Sequence, residues 1–440
     1  MRAVAVMGAA VAGGKHTLVI LNPGHFHAAL TLRAPLPGIE QDIHVFAEDG
    51  PDVDNFVRLV HAFNDRALDP TRWTLCVYRG ADYLEKLLAR RPGEVVIVAG
   101  RNDEKLPLIH LLHAQGFSVL ADKPWLIDSA QLGLVKEVLA AAPLAMDIMT
   151  ERHEIANRLQ KALMRDPAVF GELRRDDGQP VIAIRSVHHL CKNVNGQRLQ
   201  RPAWYFDPVA QGEGITDVAT HLVDLAHWLT SSEEGFDFDR DVDDLSASQW
   251  PSVIPRELFA RITGLQDFPA FLHDRVAGDA LHYLCNALIS YRLRGILVRI
   301  ETLWGLEEPE GGGDLHRCVV RGTRSELIVD QGPQTQFQTV LSVNPVERGP
   351  AFARTLEGAV AGMQNDFPGL GVEPLGAGFQ LRIPRTLRTT HEQHFAMVLQ
   401  NFLSFVTQGE WPANIGPDIH AKYTLLARAL ELSRNQRLPD

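Results

Sequence analysis

A chain of 440 residues exceeds one ordinary hydrophobic core, so two domains are expected. Its composition, 45% apolar and 22% charged, is that of a folded chain. The formal net charge of −11 argues against a basic surface for nucleic acid or anionic membranes and leaves a neutral small molecule open.

Four scattered cysteines (Cys76, Cys191, Cys285, Cys318) form no C-x-x-C pair and read as free thiols of a reducing, cytoplasmic compartment. No apolar run approaches the ~20 residues of a spanning helix. Near the start, Arg2 followed by the run Ala3–Gly13 is faintly like a secretion leader but shorter than the usual ~15–30 residues, so export is the lesser expectation. Gly8–His16 imitates a phosphate-binding loop at the wrong spacing, with no Ser or Thr after Lys15.

From there to about 150, short apolar runs alternate with helical stretches. Strands are expected at Thr17–Leu21, Asp42–Phe46, Trp73–Tyr78, Val95–Ala99, Ser118–Ala121 and Leu144–Met149. Helices are expected at His27–Leu36, Asn55–Phe63, Tyr83–Arg90, 105–115 and 128–141. The alternation predicts an α/β Rossmann-like domain over 15–150, a doubly wound parallel sheet with its ligand at the carboxyl ends of the strands.

After 150 the pattern changes. A helix over about 151–165 leads to a strand at Val181–His188, a polar loop, and a helix carrying Asp217 and His221. Strand-like segments follow at His282–Leu293, Val298–Trp304, His316–Gly322, Leu327–Val329 and Gln338–Val343, punctuated by Gly311-Gly-Gly313 and Gly332-Pro333. Helices at about 391–407 and 418–434 close the chain. The expectation for 151–440 is an α+β domain with a largely antiparallel sheet, serving substrate binding and oligomerisation.

The first strand is followed by Asn22-Pro-Gly24-His25-Phe-His27, where a dinucleotide-binding chain normally carries G-x-G-x-x-G. The middle glycine, which lets the backbone approach a pyrophosphate, remains, and Asn22 tolerates a left-handed turn. His27 puts an imidazole where tight helix–strand packing wants no side chain. Glu48-Asp49 ends the second strand, where an acid accepts hydrogen bonds from an adenosine ribose and repels a 2′-phosphate, favouring NAD over NADP. Solvated loop acids are the plain alternative. Gly100 and Asn102, at the exit of the fourth strand, border the nicotinamide side, with Arg101 at the surface.

Asp217, His221 and Asp224, spaced i, i+4, i+7, share one helix face, while Leu222, Val223, Leu225 and Trp228 read as packing. A structural Asp–His hydrogen bond would explain the same spacing. Lys123 follows the fifth strand. Oxidation of a secondary alcohol by hydride loss needs this set: a base for the proton, a cation for the developing alkoxide, and a carboxylate to orient the base.

Together, Ala121-Asp122-Lys123-Pro124 and Gly214-Ile-Thr-Asp217-Val-Ala-Thr-His221-Leu-Val-Asp224 resemble the glucose–fructose oxidoreductase / inositol dehydrogenase (Gfo/Idh/MocA) family over nearly the whole chain. The likeness is closest to a branch with a distinctive oxidoreductase C-terminal domain. Its landmarks stand at 23–29 (Pro-Gly-His-Phe-His-Ala-Ala), 147–152 (Asp-Ile-Met-Thr-Glu-Arg), 201–204 (Arg-Pro-Ala-Trp) and 217–224. The resemblance implies that Lys123 contacts the substrate hydroxyl and the nicotinamide ribose, with Pro124 following a cis bond. It implies that His221 is the general base or acid, that Asp217 holds the imidazole or binds a neighbouring hydroxyl, and that Asp224 supports them. NAD as cofactor, a carbohydrate-like substrate and a homo-oligomer built through the open sheet face are implied as well. Two positions depart from the family pattern: Asp122 replaces Glu, and the glycine motif is eroded.

Further candidate contacts are His188, His189, Lys192, Arg201, Trp204 and Glu213, which offer a sugar-like ligand hydrogen bonds and an aromatic face. Ordinary loop and strand packing explains each of them singly. Asp314 and His316 could join His188 or His189 on a metal ion, but such scattered ligands leave the expectation at no metal. His153-Glu154 is half a zinc-protease motif, with Asn157 where the second histidine belongs. The leading expectation is an NAD-dependent oxidoreductase of a sugar, polyol or glycoside. The alternatives are a glycosidase or lyase that oxidises transiently and recycles its NAD, and a catalytically silent sensor or scaffold of the same fold.

Overall fold

The computed structural model describes residues 14–175, 178–194, 197–309 and 312–435; the leader-like segment, Gly8 and Gly311 lie outside them. The chain divides into two compact units. One holds the chain up to His153 with Ser231–Phe236 and Thr389–Tyr423; the other holds Glu154–Thr230, Asp237–Arg388 and the chain from Thr424.

The first unit is a six-stranded parallel sheet. Its strands are β1 (Leu18–Leu21), β2 (Asp42–Ala47), β3 (Thr74–Arg79), β4 (Val95–Val98), β5 (Ser118–Ala121) and β6 (Ala145–Asp147), in the spatial order β3-β2-β1-β4-β5-β6. Every residue of β1, β4 and β5 is buried, which is why they read as unbroken apolar runs: helices cover both faces. The helices are α1 (His27–Thr31), α2 (Pro51–Asp65), α3 (Tyr83–Arg90), α4 (Lys105–Ala114) and α5 (Leu132–Leu139).

α2 runs from Pro51 to Asp65, longer at both ends than the expected Asn55–Phe63, and two other helices also differ from their expected spans. α1 stops at Thr31 rather than Leu36, because Pro35 and Pro37 disfavour helical backbone in the residues before them. The stretch expected at 128–141 begins as a 3-10 turn, Ser129–Gln131, capped by Asp128, and only then becomes α5.

A late helix, His391–Gln408, also belongs to this unit. Thr390 and Gln393 form a capping box at its start. Phe395, Val398, Leu399 and Phe402 share its buried face and join Ala28, Leu32 and Ile39 in one core.

The second unit is built on one large mixed sheet. After a 3-10 turn that ends the first unit's opening stretch (Glu151–His153), it opens with α6 (Ile155–Met164), then β7 (Ile182–Cys191), a minor pair β8 (Asn193–Val194) and β9 (Gln197–Arg198), and α7 (Val218–Thr230). There follow α8 (Phe238–Asp241), β10 (Val242–Pro255), α9 (Arg256–Thr263), β11 (Val276–Ala277), β12 (Ala280–Leu293), β13 (Ile296–Glu307), β14 (Leu315–Arg321), β15 (Ser325–Gln331) and β16 (Val340–Pro345). Then come α10 (Pro350–Gly362), β17 (Gly371–Leu375), β18 (Gly378–Arg382), α11 (the helix His391–Gln408 above) and α12 (Ile415–Asn435).

The strand order is β10-β12-β13-β7-β14-β15-β16-β18-β17, antiparallel throughout except where β13 meets β7 in parallel. Along β12 buried and half-buried residues alternate almost strictly, so one face is covered and the other is not. α7 packs on β13 and β7. No helix among the described residues is long and apolar enough to cross a membrane.

Candidate active site

In the first unit the carboxyl ends of β1 and β5 bring together residues that lie about a hundred positions apart in sequence. Asn22 takes the left-handed conformation (φ 41°) that a glycine would usually supply. Gly100 must be glycine, because a Cβ there would sit 2.7 Å from the Asn22 carbonyl oxygen. Gly24 is different. A Cβ at Gly24 would meet nothing nearer than 3.4 Å, so the protein's own packing does not require the bare backbone there. Its missing side chain leaves a surface that a ligand can approach closely.

His27, in the third glycine's place, is turned inward. Its Nδ1 donates to the Asp122 carboxylate at 3.0 Å, and its ring lies on Phe395 with centroids 4.4 Å apart. His25 Nδ1 approaches the same carboxylate at 3.3 Å. Burial, with the charges of His25 and Lys123 adding to it, pushes His27 down to about 3 against the pull of Asp122, so the imidazole is neutral. Burial works against ionisation of Asp122, yet the two imidazoles and the Lys105 ammonium hold its carboxyl well below the usual range.

Lys105, overlooked in the sequence reading, is buried at the start of α4 and donates to Asn102 Oδ1 at 2.6 Å. Lys123 is buried at the end of β5, and its bond to Pro124 is cis. Glu48 is exposed and makes no ion pair among the described residues, whereas Asp49 is held by Arg79 at 2.9 Å. Arg101 is exposed. A dinucleotide therefore fits what is present: a bare glycine, a free acid one strand along, and a buried lysine.

Trp125 fixes the segment after Lys123. Its backbone N–H donates to the Tyr423 hydroxyl at 3.2 Å, and its ring stacks on that of Tyr423. The hydroxyl in turn donates to Asp147 at 3.0 Å, beside a Lys422–Asp147 ion pair of 2.7 Å with both side chains buried.

The second unit assembles the other candidates. Gly214 has no room for a side chain, since a Cβ would lie 2.2 Å from the Cys285 carbonyl oxygen, and its N–H donates to Leu284 O at 2.8 Å. That close approach seats Asp217, which lies in the turn just before α7 rather than on the helix as expected. Asp217 accepts from the Tyr205 hydroxyl at 3.3 Å, and Tyr205 in turn neighbours Tyr283 with rings 6.1 Å apart. Burial, with the Asp217 carboxylate adding to it, raises both phenols well above their ordinary value. His221 is half-buried on α7, one turn on from Asp217, and Asp224 is buried.

Around β7, His188 Nδ1 donates to Asp314 Oδ2 at 3.0 Å, Lys192 Nζ lies 2.5 Å from the same oxygen, and His189 Nδ1 is 3.6 Å from Oδ1. Burial would raise the Asp314 carboxyl, but His188, His189 and Lys192 hold it well below the usual range. His188 also shares a hydrogen bond with Ser186 Oγ (2.9 Å), and its ring faces Trp304 at 5.3 Å. Gly305, paired with His189 in the sheet, leaves space for that imidazole; a Cβ would meet its ring at 2.8 Å.

Arg201 spends its guanidinium on the carbonyls of Leu190 and His189 and lies over the rings of Tyr205 and Trp304. Glu213 accepts from Gln249 and Arg434, and half-buried Trp204 precedes Tyr205. A cavity of about 370 Å³ with polar walls opens beside Lys192, bordered by Arg198, Glu307 and Glu308.

His188, His189, Lys192 and Arg201 thus cluster, and Asp217 is tied to them through Tyr205. Tyr205, Tyr283 and Trp304 were not singled out from sequence; the only available signal was that Tyr205 directly follows the 201–204 landmark.

The family model described as "Putative oxidoreductase C terminal domain" matches residues 159–434. A crystal structure of a "putative oxidoreductase" from Parabacteroides merdae is 37% identical, covers 98% of this chain and 100% of its own, and gives a TM-score of 0.92. Levoglucosan dehydrogenase, solved with NADH, is 13% identical over 96% of this chain and 97% of its own, with a TM-score of 0.59. An oxidoreductase from Agrobacterium radiobacter, solved with NAD+, L-tartaric acid and magnesium, is 14% identical over the same shares, also at 0.59. At 13–14% the likeness is one of fold. No curated protein matches the chain.

Proposed function

The chain belongs to the Gfo/Idh/MocA-like oxidoreductase family and carries its oxidoreductase C-terminal domain, and from that premise we propose that it is an NAD-dependent oxidoreductase acting on a secondary hydroxyl of a sugar, polyol or glycoside. The observation that carries the reading is Gly24, a bare backbone position that the protein's own packing does not demand, at the end of the central strand of a sheet ordered β3-β2-β1-β4-β5-β6.

Asn22, Gly24 and His25 line the pyrophosphate side, Gly100 and Asn102 the nicotinamide side, and Glu48 receives the adenosine ribose, favouring NAD over NADP. His27 contributes by holding Asp122 rather than by touching the dinucleotide. When bound, NAD supplies the acceptor for the hydride leaving the carbinol carbon. His221 accepts the hydroxyl proton, and the Lys123 ammonium steadies the negative charge on the oxygen. Asp217, with Tyr205 bound to it, fixes a neighbouring hydroxyl. His188 and Lys192, beside the polar cavity, hold the rest of the sugar, and Trp204 offers an aromatic face.

The test is a panel of glycosides and polyols incubated with NAD, followed by NADH absorbance. His221→Asn and Lys123→Met are each expected to lower kcat by about 10²–10³-fold in a folded protein. Full turnover in both variants would defeat the assignment. The His188–Asp314 pair supports a second reading, because it is a further oriented imidazole, and elimination after transient oxidation needs an additional base. That version releases an aglycone with no accumulation of NADH.

We place the protein in the cytoplasm, a reading supported by four free cysteines, three of them buried. Association of copies through the open sheet face of the second unit is proposed from membership of the family.

A further inference from the structure

We propose that His25, His27 and Asp122 form a binding site for a first-row divalent cation, for which zinc is the probe ion, at the carboxyl ends of β1 and β5. Among the described residues this is the one set of three His, Cys, Asp or Glu side chains whose donor atoms all lie within 4.8 Å of one another. The separations suit a shared ion. His27 Nδ1 is 3.0 Å from both Asp122 oxygens, and His25 Nδ1 is 3.3 Å from Oδ2. Metal bonds of about 2.0–2.2 Å place adjacent donors roughly 2.8–3.1 Å apart in an octahedron and roughly 3.3–3.6 Å apart in a tetrahedron.

The donor set, two imidazoles and a carboxylate, is the one that zinc and its neighbours accept. His25 Nδ1 is buried yet makes no well-aligned hydrogen bond, so its lone pair or N–H is not committed elsewhere. The two rings meet edge to face with centroids 4.0 Å apart, so small rotations aim both Nδ1 atoms at one point beside the carboxylate.

The second unit holds a similar cluster with its cation already in place. There His188, His189 and Asp314 also converge, but the Lys192 ammonium at 2.5 Å already supplies the cation.

The ion would occupy the place of the lost third glycine and tie the start of α1 to the strand end that presents Lys123. This inference does not rest on the redox reading, because it is tested without nucleotide. Protein stripped with a chelator and titrated with cobalt(II) is expected to take up one equivalent, giving visible ligand-field bands that zinc abolishes. His25→Ala is expected to weaken uptake at least about tenfold, the scale on which even an outer partner of a ligand matters. His188→Ala is expected to leave uptake unchanged. Circular dichroism checks that each variant is folded, with His25→Gln and Asp122→Asn as second ligand variants. No uptake at micromolar metal, or equal uptake in wild type and folded His25 variants, would overturn the proposal.

Discussion

Burial, with the charge of neighbouring His188 adding to it, pushes the His316 imidazole down to about 4, and its Nε2 has no hydrogen-bond partner. In the unfolded chain the same group titrates near ~6.5. Between those values the unfolded state takes a proton that the folded state refuses, so stability falls as the pH drops from about 6.5 to about 4, by roughly 3 kcal/mol in full. His316→Asn removes the titration. Urea unfolding at about pH 7 and about pH 4.5 is expected to show a smaller acid loss in the variant than in the wild type, and equal losses would refute the assignment. At this scale the sequence displays which residues stand where but not what they meet. Gly100 and Gly214 were legible as motif glycines, while the carbonyls of Asn22 and Cys285 that forbid a side chain there were not. Nothing local in the sequence announces that Lys105 is buried beside Asp122.

Among the elements, β6 and α12 show how a distant partner fixes a strand end. Asp147 closes β6, and its carboxylate is satisfied by Lys422 and Tyr423 at the middle of α12. Replacing Lys422 with Met leaves that carboxylate buried without its cation, which costs about 3–5 kcal/mol. Lys422→Met with Asp147→Asn is expected to recover part of the loss, since the uncompensated charge is gone. A single-variant cost below about 1 kcal/mol by chemical denaturation would mean that the pair is solvated rather than buried. The sequence marked 147–152 as a landmark without revealing this reason, because the partner lies some 275 residues away. Buried strands were legible from their apolar runs. β10 was not: it is an edge strand, its row Val242-Asp-Asp-Leu-Ser-Ala-Ser-Gln-Trp-Pro breaks the apolar repeat, and a bulge falls at Trp250–Pro251. The hairpin of β17 and β18 sits at the opposite edge and went unread for the same reason.

For the whole molecule, alternation of strand and helix was enough to foresee the parallel sheet, since that signal repeats every 20–30 residues and each strand is buried on both faces. The chain's later return to the first unit, through 231–236 and 389–423, leaves no local trace. The amphipathic face of α11 shows that it packs, not against what. Motif spacing was enough to nominate Lys123, Asp217 and His221 as candidates, whereas contacts built by tertiary approach, such as Tyr205 on Asp217 and His27 on Asp122, leave no local trace. The proposed function requires the bare backbone at Gly24 to receive a dinucleotide. Calorimetric titration of NAD into the wild type and into Gly24→Val tests it most directly. The expected result is one saturable site for NAD, at least about tenfold weaker for NADP, and absent in a folded Gly24→Val protein. No binding of either nucleotide to the wild type, or undiminished binding to Gly24→Val, would contradict it.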